Sequence, residues 1–303
     1  MSKTYELSRK FIYRNARPLD LARFRYHFEG GSAESVLDAL AAYQNEDGGF
    51  ANGLEPDNWS PYSSPIQVWR ATEILREIAW RDAGHPLVSG ILDYLESGAD
   101  VGKHGLWRNT TAPTDNYPHA VWWSYDENGD TGYNPTAALA GFILKYADRE
   151  SALYRKGLEL AHRAFDWLAA NAPLDERHVL CCFIRLYEYL DGSSAAAEFD
   201  MSLFKKMLTE QICGAICGDV SKWGREYVAV PSTFIETKNS LGYEENKELV
   251  KKECELVLLT QEADGGRAVP FCWCTDYKEQ EIAYNRWRSD IVIQSERFLR
   301  EFI

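Results

Sequence analysis

The chain has 303 residues, 45% hydrophobic and 26% charged, enough apolar material for one large domain or two small ones. A net charge of -13 argues against a nucleic-acid partner, which needs a concentrated basic face, and against an anionic membrane surface. The stretch from Met1 to Leu7 lacks the apolar core of a secretory signal, and no segment approaches the ~20 apolar residues of a membrane span. Seven cysteines without a disulfide-scaffold spacing complete the expectation of a cytoplasmic protein with reduced thiols.

Helical spacing dominates the chain, and no alternating strand pattern stands out. Residues 5–16 and 19–28 read as helices, the second with Pro18 just ahead of it. Ser32 caps a helix carrying Val36, Leu40 and Tyr43 on one face. Ser64-Pro65-Ile66-Gln67 supplies an N-cap, a proline at N1 and a capping-box glutamine, with Val68, Thr72, Leu75 and Ala79 following at helix spacing. His85-Pro86 opens the next helix, which buries Val88, Ile91, Leu92 and Leu95. Residues 97–133 break the period, and Asn134-Pro135 restarts it with Leu139, Phe142, Ile143 and Tyr146 on the inner stripe. The helix over 152–170 sets Tyr154, Leu158, Ala161, Phe165 and Leu168 on one side; Asp175 caps a helix with Val179, Phe183, Leu186 and Leu190. Helices over 201–213, 232–241, 244–260 and 280–302 bring the total to about twelve, mostly in consecutive pairs. No linker-like segment separates two halves, so one all-α domain over 1–303 is expected.

Two loops carry candidate chemistry. In Gly53-Leu54-Glu55-Pro56-Asp57-Asn58-Trp59, a proline fixes the backbone between two carboxylates and an aromatic follows. The longer loop holds His119, Trp122, Trp123, Asp126, Asp130 and Tyr133, with Trp107 upstream. Irregular stretches of this length inside a compact domain are often functional. Acids beside aromatics suit a carboxylic acid kept protonated in an apolar cavity. His119 is a general base or a hydrogen-bonded loop histidine. Aromatics reach 13%, with ten Trp and seventeen Tyr, which fits either a large helical core or a cavity for cations, sugars or polyenes. Asp126-x-Asn128-x-Asp130 begins like a calcium loop, but Thr131 and Ala137 stand where glycine and glutamate belong. Cys181-Cys182 reads as core, and no nucleophile elbow, P-loop or dinucleotide fingerprint is present. No cofactor is expected.

Gln44-x-x-Asp47-Gly48-Gly49 recurs as Gln261-x-x-Asp264-Gly265-Gly266, each time after an apolar helix, with a degenerate copy at Gln211 to Gly218 followed by Trp223-Gly224. Paired glycines admit the positive φ that ends a helix, the glutamine can satisfy backbone groups there, and the aspartate can cap its own turn. Phe50 can then pack back onto the helix.

The motif resembles the repeats of the terpenoid cyclase and protein prenyltransferase superfamily, most closely over residues 43–75. That resemblance implies an (α/α)6 toroid of helix pairs around a central cavity, with Gln44, Asp47, Gly48 and Gly49 as fold residues. It also implies a possible zinc set, of which Cys272, Cys274 and Asp276 are present; His178 is the last histidine, so the later histidine ligand is missing. The aspartate-rich magnesium motif and the Asp-x-Asp-Asp motif of proton-initiated cyclases are absent. Asp130, four residues ahead of a helix start, is loosely similar in placement to the cyclase acid.

Three functions follow. In the first, an isoprenoid or other apolar substrate is protonated by Asp130 or Asp126 while Trp122, Trp123 and Tyr133 stabilise a cation. In the second, a carbohydrate-active hydrolase or lyase pairs Glu55 or Asp57 with Asp126 or Asp130, and tryptophan stacking suits sugars; Trp59 and Trp107 join Trp122, Trp123 and Tyr133 as substrate-binding candidates. In the third, the toroid binds a ligand or partner without catalysis.

Overall fold

The computed structural model describes residues 3–129 and 132–303. Eleven α-helices account for the regular structure among the described residues, and the only β pairing there is a set of isolated bridges. The all-α expectation is met. The segments divide into two compact units, one formed by residues up to 42 together with those from 213 onward, the other by residues 43–212. Among the described residues, no helix is long and apolar enough to cross a membrane.

The first unit contains α1 (Lys3–Asn15), α2 (Pro18–Phe28), α3 (Ala33–Ala41), α10 (Tyr243–Leu259) and α11 (Gln280–Phe302). Ser32 caps α3 as expected, accepting the Ser35 N–H at 3.2 Å. Phe11 and Ile12 of α1, Phe24 of α2, and Val292 and Ile293 of α11 form a buried apolar cluster. An ionic network lies alongside it. Asp20 accepts Arg17 at 2.7 Å and Arg23 at 3.1 Å, and Arg23 also donates to Asp290 of α11 at 2.6 Å.

The helix expected over 232–241 does not form. Pro231–Thr233 makes one 3-10 turn, after which Ser240 Oγ accepts the Glu236 and Thr237 N–H groups. Local hydroxyls thus take the donors that a helix would use. Gly242, at φ +76, then admits α10.

Buried Glu253 of α10 accepts the Ser232 N–H at 2.8 Å and its hydroxyl. Burial pushes this carboxyl up to about 7 from its ordinary 4.5, although the Ser232 bonds pull the other way. A folded value above the unfolded one means that the native state holds the proton more tightly. The associated stability is complete below ~pH 4.5 and is lost as pH rises to ~pH 7, by roughly 2–3 kcal/mol. Urea denaturation across that range should show the loss, and Glu253→Gln should flatten it. A variant profile parallel to the wild type would refute the assignment.

The second unit contains α4 (Pro65–Glu77), α5 (Pro86–Ser97), α6 (Thr136–Tyr146), α7 (Ala152–Asn171) and α8 (Arg177–Leu190), and it ends within α9 (Met201–Ala215). Every residue of α6 from Thr136 to Leu144 is buried, so it is the central helix that α4, α5, α7 and α8 surround. The buried side of α7 is Leu153, Gly157, Leu160, Ala161, Ala164 and Leu168; of the expected line, Ala161 and Leu168 are buried, while Tyr154, Leu158 and Phe165 are half-buried. Small residues decide this. A Cβ on Gly157 would stand 2.6 Å from Ile143 of α6, so the helices meet along the glycine–alanine edge. At α8 the cap is Glu176, accepting the His178 and Val179 N–H groups, rather than Asp175.

The two copies of the repeated motif have the same geometry. Gln44 Nε2 donates to the Gly48 carbonyl at 2.9 Å and to Leu87 O near the start of α5 at 3.1 Å. Gln261 Nε2 donates to Gly265 O at 3.3 Å and to Thr4 O near the start of α1 at 3.0 Å. Asp47 and Asp264 each accept the N–H two residues on at 2.9 Å. Gly48 presses against Gly90 O of α5, and Gly265 against Leu7 O of α1, each three residues beyond the carbonyl that the glutamine holds. The degenerate copy does not share this role: α9 runs through Gln211, whose Oε1 accepts the Leu174 N–H.

Candidate functional site

The two loops singled out in the sequence are joined. Trp59 N–H donates to Pro118 O at 3.0 Å and Ala120 N–H to Asp57 O at 2.9 Å, flanking an antiparallel bridge between Asn58 and His119. Asp57 is 1% exposed, and the indole N–H of Trp123 donates to its Oδ1 at 2.7 Å. Glu55 is also buried, its N–H facing Gln67 Oε1 of α4 at 3.4 Å. The start of α4 in turn meets a third segment, with Ile66 N–H donating to Asn109 O at 3.2 Å.

Among the described residues, buried polar atoms on these segments without a hydrogen-bond partner include Asn58 Nδ2, Ser64 Oγ, Gln67 Nε2, Asn109 Oδ1, Thr111 Oγ1 and Thr114 Oγ1. The capping box expected at Ser64 and Gln67 is therefore not made; neither side chain turns back to the helix end. A buried polar atom left without a partner costs about 1–3 kcal/mol, so such atoms are met by water or by a bound molecule. The set mixes amide donors, hydroxyls and a carbonyl oxygen, and the linked loop adds two buried carboxylates, which is the hydrogen-bonding inventory a hydroxyl-rich molecule uses.

The other expected residues have different settings. His119 donates from Nδ1 to Tyr117 O at 2.7 Å, which leaves Nε2 to accept the Ser124 hydroxyl at 3.1 Å; both ring nitrogens are engaged. Trp59 hydrogen-bonds Pro56 O at 2.8 Å within its own loop. Trp122 is 42% exposed. Tyr133 is a core residue, tilted against Trp167 and Phe183 with ring centroids 5.4 and 5.7 Å away. Trp107 is buried, with the Lys156 ammonium 4.8 Å from its ring centroid. It borders a hollow of about 190 Å³ with Lys103, His104, Arg108 and Asn128, smaller than the ~300–1,000 Å³ typical of ligand pockets. Asp126 is exposed and closes a turn by accepting the Asn128 N–H at 2.9 Å, while Asp130 lies outside the described residues.

A carboxyl that the sequence did not single out does have a raised pKa. Asp100, just past the end of α5, is pushed up by burial and further by Asp47, although the Tyr94 hydroxyl donating at 2.6 Å and Arg108 oppose this. Gly98-Ala99-Asp100 lies where the helical period breaks, and the pairing of a half-buried Asp100 with the Tyr94 hydroxyl left no local signal.

No group of three or more metal-ligating side chains is gathered among the described residues. Cys272 and Cys274 are exposed with their sulfurs 3.2 Å apart; of the calcium set, Asp126 and Asn128 share the exposed turn. No family model matches the chain, and no curated protein or solved structure matches it either.

Proposed function

We propose that this protein is an α/α toroid of the terpenoid cyclase and prenyltransferase kind whose site takes a hydroxyl-rich small molecule, with Glu55 and Asp57 as the acid–base pair of a carbohydrate-active hydrolase or lyase. The observation that carries the ligand class is the set of unsatisfied polar atoms on the segments linked to the loop of those two buried carboxylates. Sugar hydroxyls donate and accept at once and so answer amides, hydroxyls and carboxylates together. An isoprenoid would leave those atoms unpaired.

The toroid draws support from the repeated motif. Along the chain, the N-terminal copy is followed by α4 and grips the next helix, α5. The C-terminal copy is followed by α11 and grips α1, so α1 takes the place that a helix after α11 would occupy. A helix-pair series that closes on itself has this cyclic order. The net charge of -13 accords with an uncharged ligand rather than nucleic acid.

A thermal-shift comparison tests the reading. Short oligosaccharides should raise the melting temperature, with about 2.7 kcal/mol of stabilisation at 100 times the dissociation constant, while isoprenoid alcohols and diphosphates should not. Asp57→Asn, which keeps the acceptor for Trp123, should remove the sugar shift. A shift with isoprenoids alone, together with turnover lost in Asp130→Asn at unchanged melting, would replace this reading with the cyclase one.

A further inference from the structure

Between the C-terminal motif and α11, the segment Cys272-Trp273-Cys274 presents two exposed thiols on either side of a buried indole. In extended backbone, residues two apart share a face but their Cα atoms stand ~6.6 Å apart, with side chains roughly parallel. Here Cys274 adopts φ +56, the left-handed region that a β-carbon disfavours, and its sulfur turns back to 3.2 Å from Cys272 Sγ. Trp273, 1% exposed, anchors the middle of the turn so that both sulfurs stay outward. The Tyr284 hydroxyl of α11 donates to the Phe271 carbonyl, fixing the segment's start. The remaining gap is about 1.1 Å beyond the ~2.05 Å of a disulfide, and a Cys-X-Cys pair can meet the usual Cα separation.

We propose that Cys272 and Cys274 form a redox dithiol that closes reversibly to an intramolecular disulfide by exchange with a low-molecular-weight disulfide. The Cys272 thiolate attacks one sulfur of the incoming disulfide RSSR, forming a mixed disulfide and expelling RS⁻, which takes up a proton. Cys274, its own proton lost to solvent, then attacks Cys272 Sγ, and the second RS⁻ leaves and is protonated. Two protein thiols and RSSR thus become one protein disulfide and two RSH. The roles follow from the geometry: the Cys274 thiol turns back to donate to the Cys272 carbonyl oxygen at 3.5 Å, which keeps its sulfur 3.2 Å from Cys272 Sγ, in reach of a mixed disulfide formed there. The other cysteines differ in setting. Cys182 and Cys254 are buried, burial pushes the Cys181 thiol up, and Cys213 receives a hydrogen bond from Asn246.

The experiment treats the full chain with oxidised glutathione, alkylates remaining thiols and reads intact mass and peptide maps. The expected result is loss of two of the seven thiols, about 2 Da lower before alkylation, with the bond mapped between Cys272 and Cys274 and reopened by excess reduced glutathione. Cys274→Ser should instead accumulate a stable glutathione adduct, about 305 Da heavier, on Cys272. A wild-type protein that retains all seven thiols, keeps the adduct unresolved, or forms its disulfide between Cys213 and Cys217 would overturn the proposal. Unchanged far-ultraviolet circular dichroism of Cys274→Ser keeps the comparison valid.

Discussion

Gly265→Ala is expected to destabilise this protein by about 3–5 kcal/mol, and Gly48→Ala by a similar amount, far more than alanine at an ordinary turn glycine. Two effects add. Gly265 sits at φ +93, and a Cβ there would stand 2.1 Å from the Leu7 carbonyl oxygen of α1; at Gly48, φ is +81 and the Gly90 carbonyl oxygen of α5 would be 2.0 Å away. The obstructing atoms are helical backbone, so relief requires the motif to lift away from the helix, which also removes the glutamine bond to Thr4 O or Leu87 O. Gly224→Ala separates the terms. Its φ of +69 imposes the same left-handed strain, but nothing lies within 4 Å of the added carbon, so only ~1–2 kcal/mol should be lost. Thermal melts should show a drop of ~5–10 °C for Gly265→Ala and clearly less for Gly224→Ala. Equal losses at all three positions would show that close approach contributes nothing and that the motif is an ordinary turn.

That contrast also marks how far the sequence could be read. The motif's local physics was legible: a glutamine, an Asx-turn aspartate and a positive-φ glycine end a helix wherever they occur. Its destination was not, because Gln261 reaches a carbonyl 257 positions away in the chain, and no local pattern encodes that pairing. Helix starts marked by Ser32, Pro65 and Pro86 were legible for the same local reason, and hydroxyl competition at Ser240 undid the helix expected over 232–241. In the candidate site, Glu55 and Asp57 stood out because two acids about a proline are unusual. Ser64 and Gln67 did not, because their spacing imitates a capping box. Their atoms instead lie unsatisfied in the polar cluster. The aromatic residues misled most. Residue type does not give direction, and in the 3-10 turn Val121–Trp123 successive side chains point ~120° apart. Trp123 therefore reaches Asp57 while its neighbour Trp122 is exposed.

Asp290→Leu should cost about 3–5 kcal/mol, and Arg23→Met much the same, yet the double variant should recover most of the loss. The reason is charge balance in a dry setting. Asp20 and Asp290 are 0% exposed, Arg23 is 1%, and Arg17 completes a set of two acids and two bases that joins α2 to α11. Removing Asp290 leaves two guanidinium groups sharing one buried carboxylate; removing Arg23 takes from Asp290 the guanidinium that donates to it at 2.6 Å, and the Gln294 amide at 2.7 Å brings no charge to replace it. Either change strands a charge out of water, where the desolvation penalty greatly exceeds that of a surface pair. Removing both leaves Arg17 bidentate on Asp20 at 2.7 and 3.2 Å, already neutral, while methionine and leucine extend the apolar cluster of Phe24, Val292 and Ile293. The Gln294 bond is forfeited as well, at about 1 kcal/mol. Urea denaturation of the four proteins in a double-mutant cycle should give a coupling energy of about 4 kcal/mol or more. Strict additivity would mean that the network is solvated and weak, and that α2 and α11 are held by their apolar contacts alone.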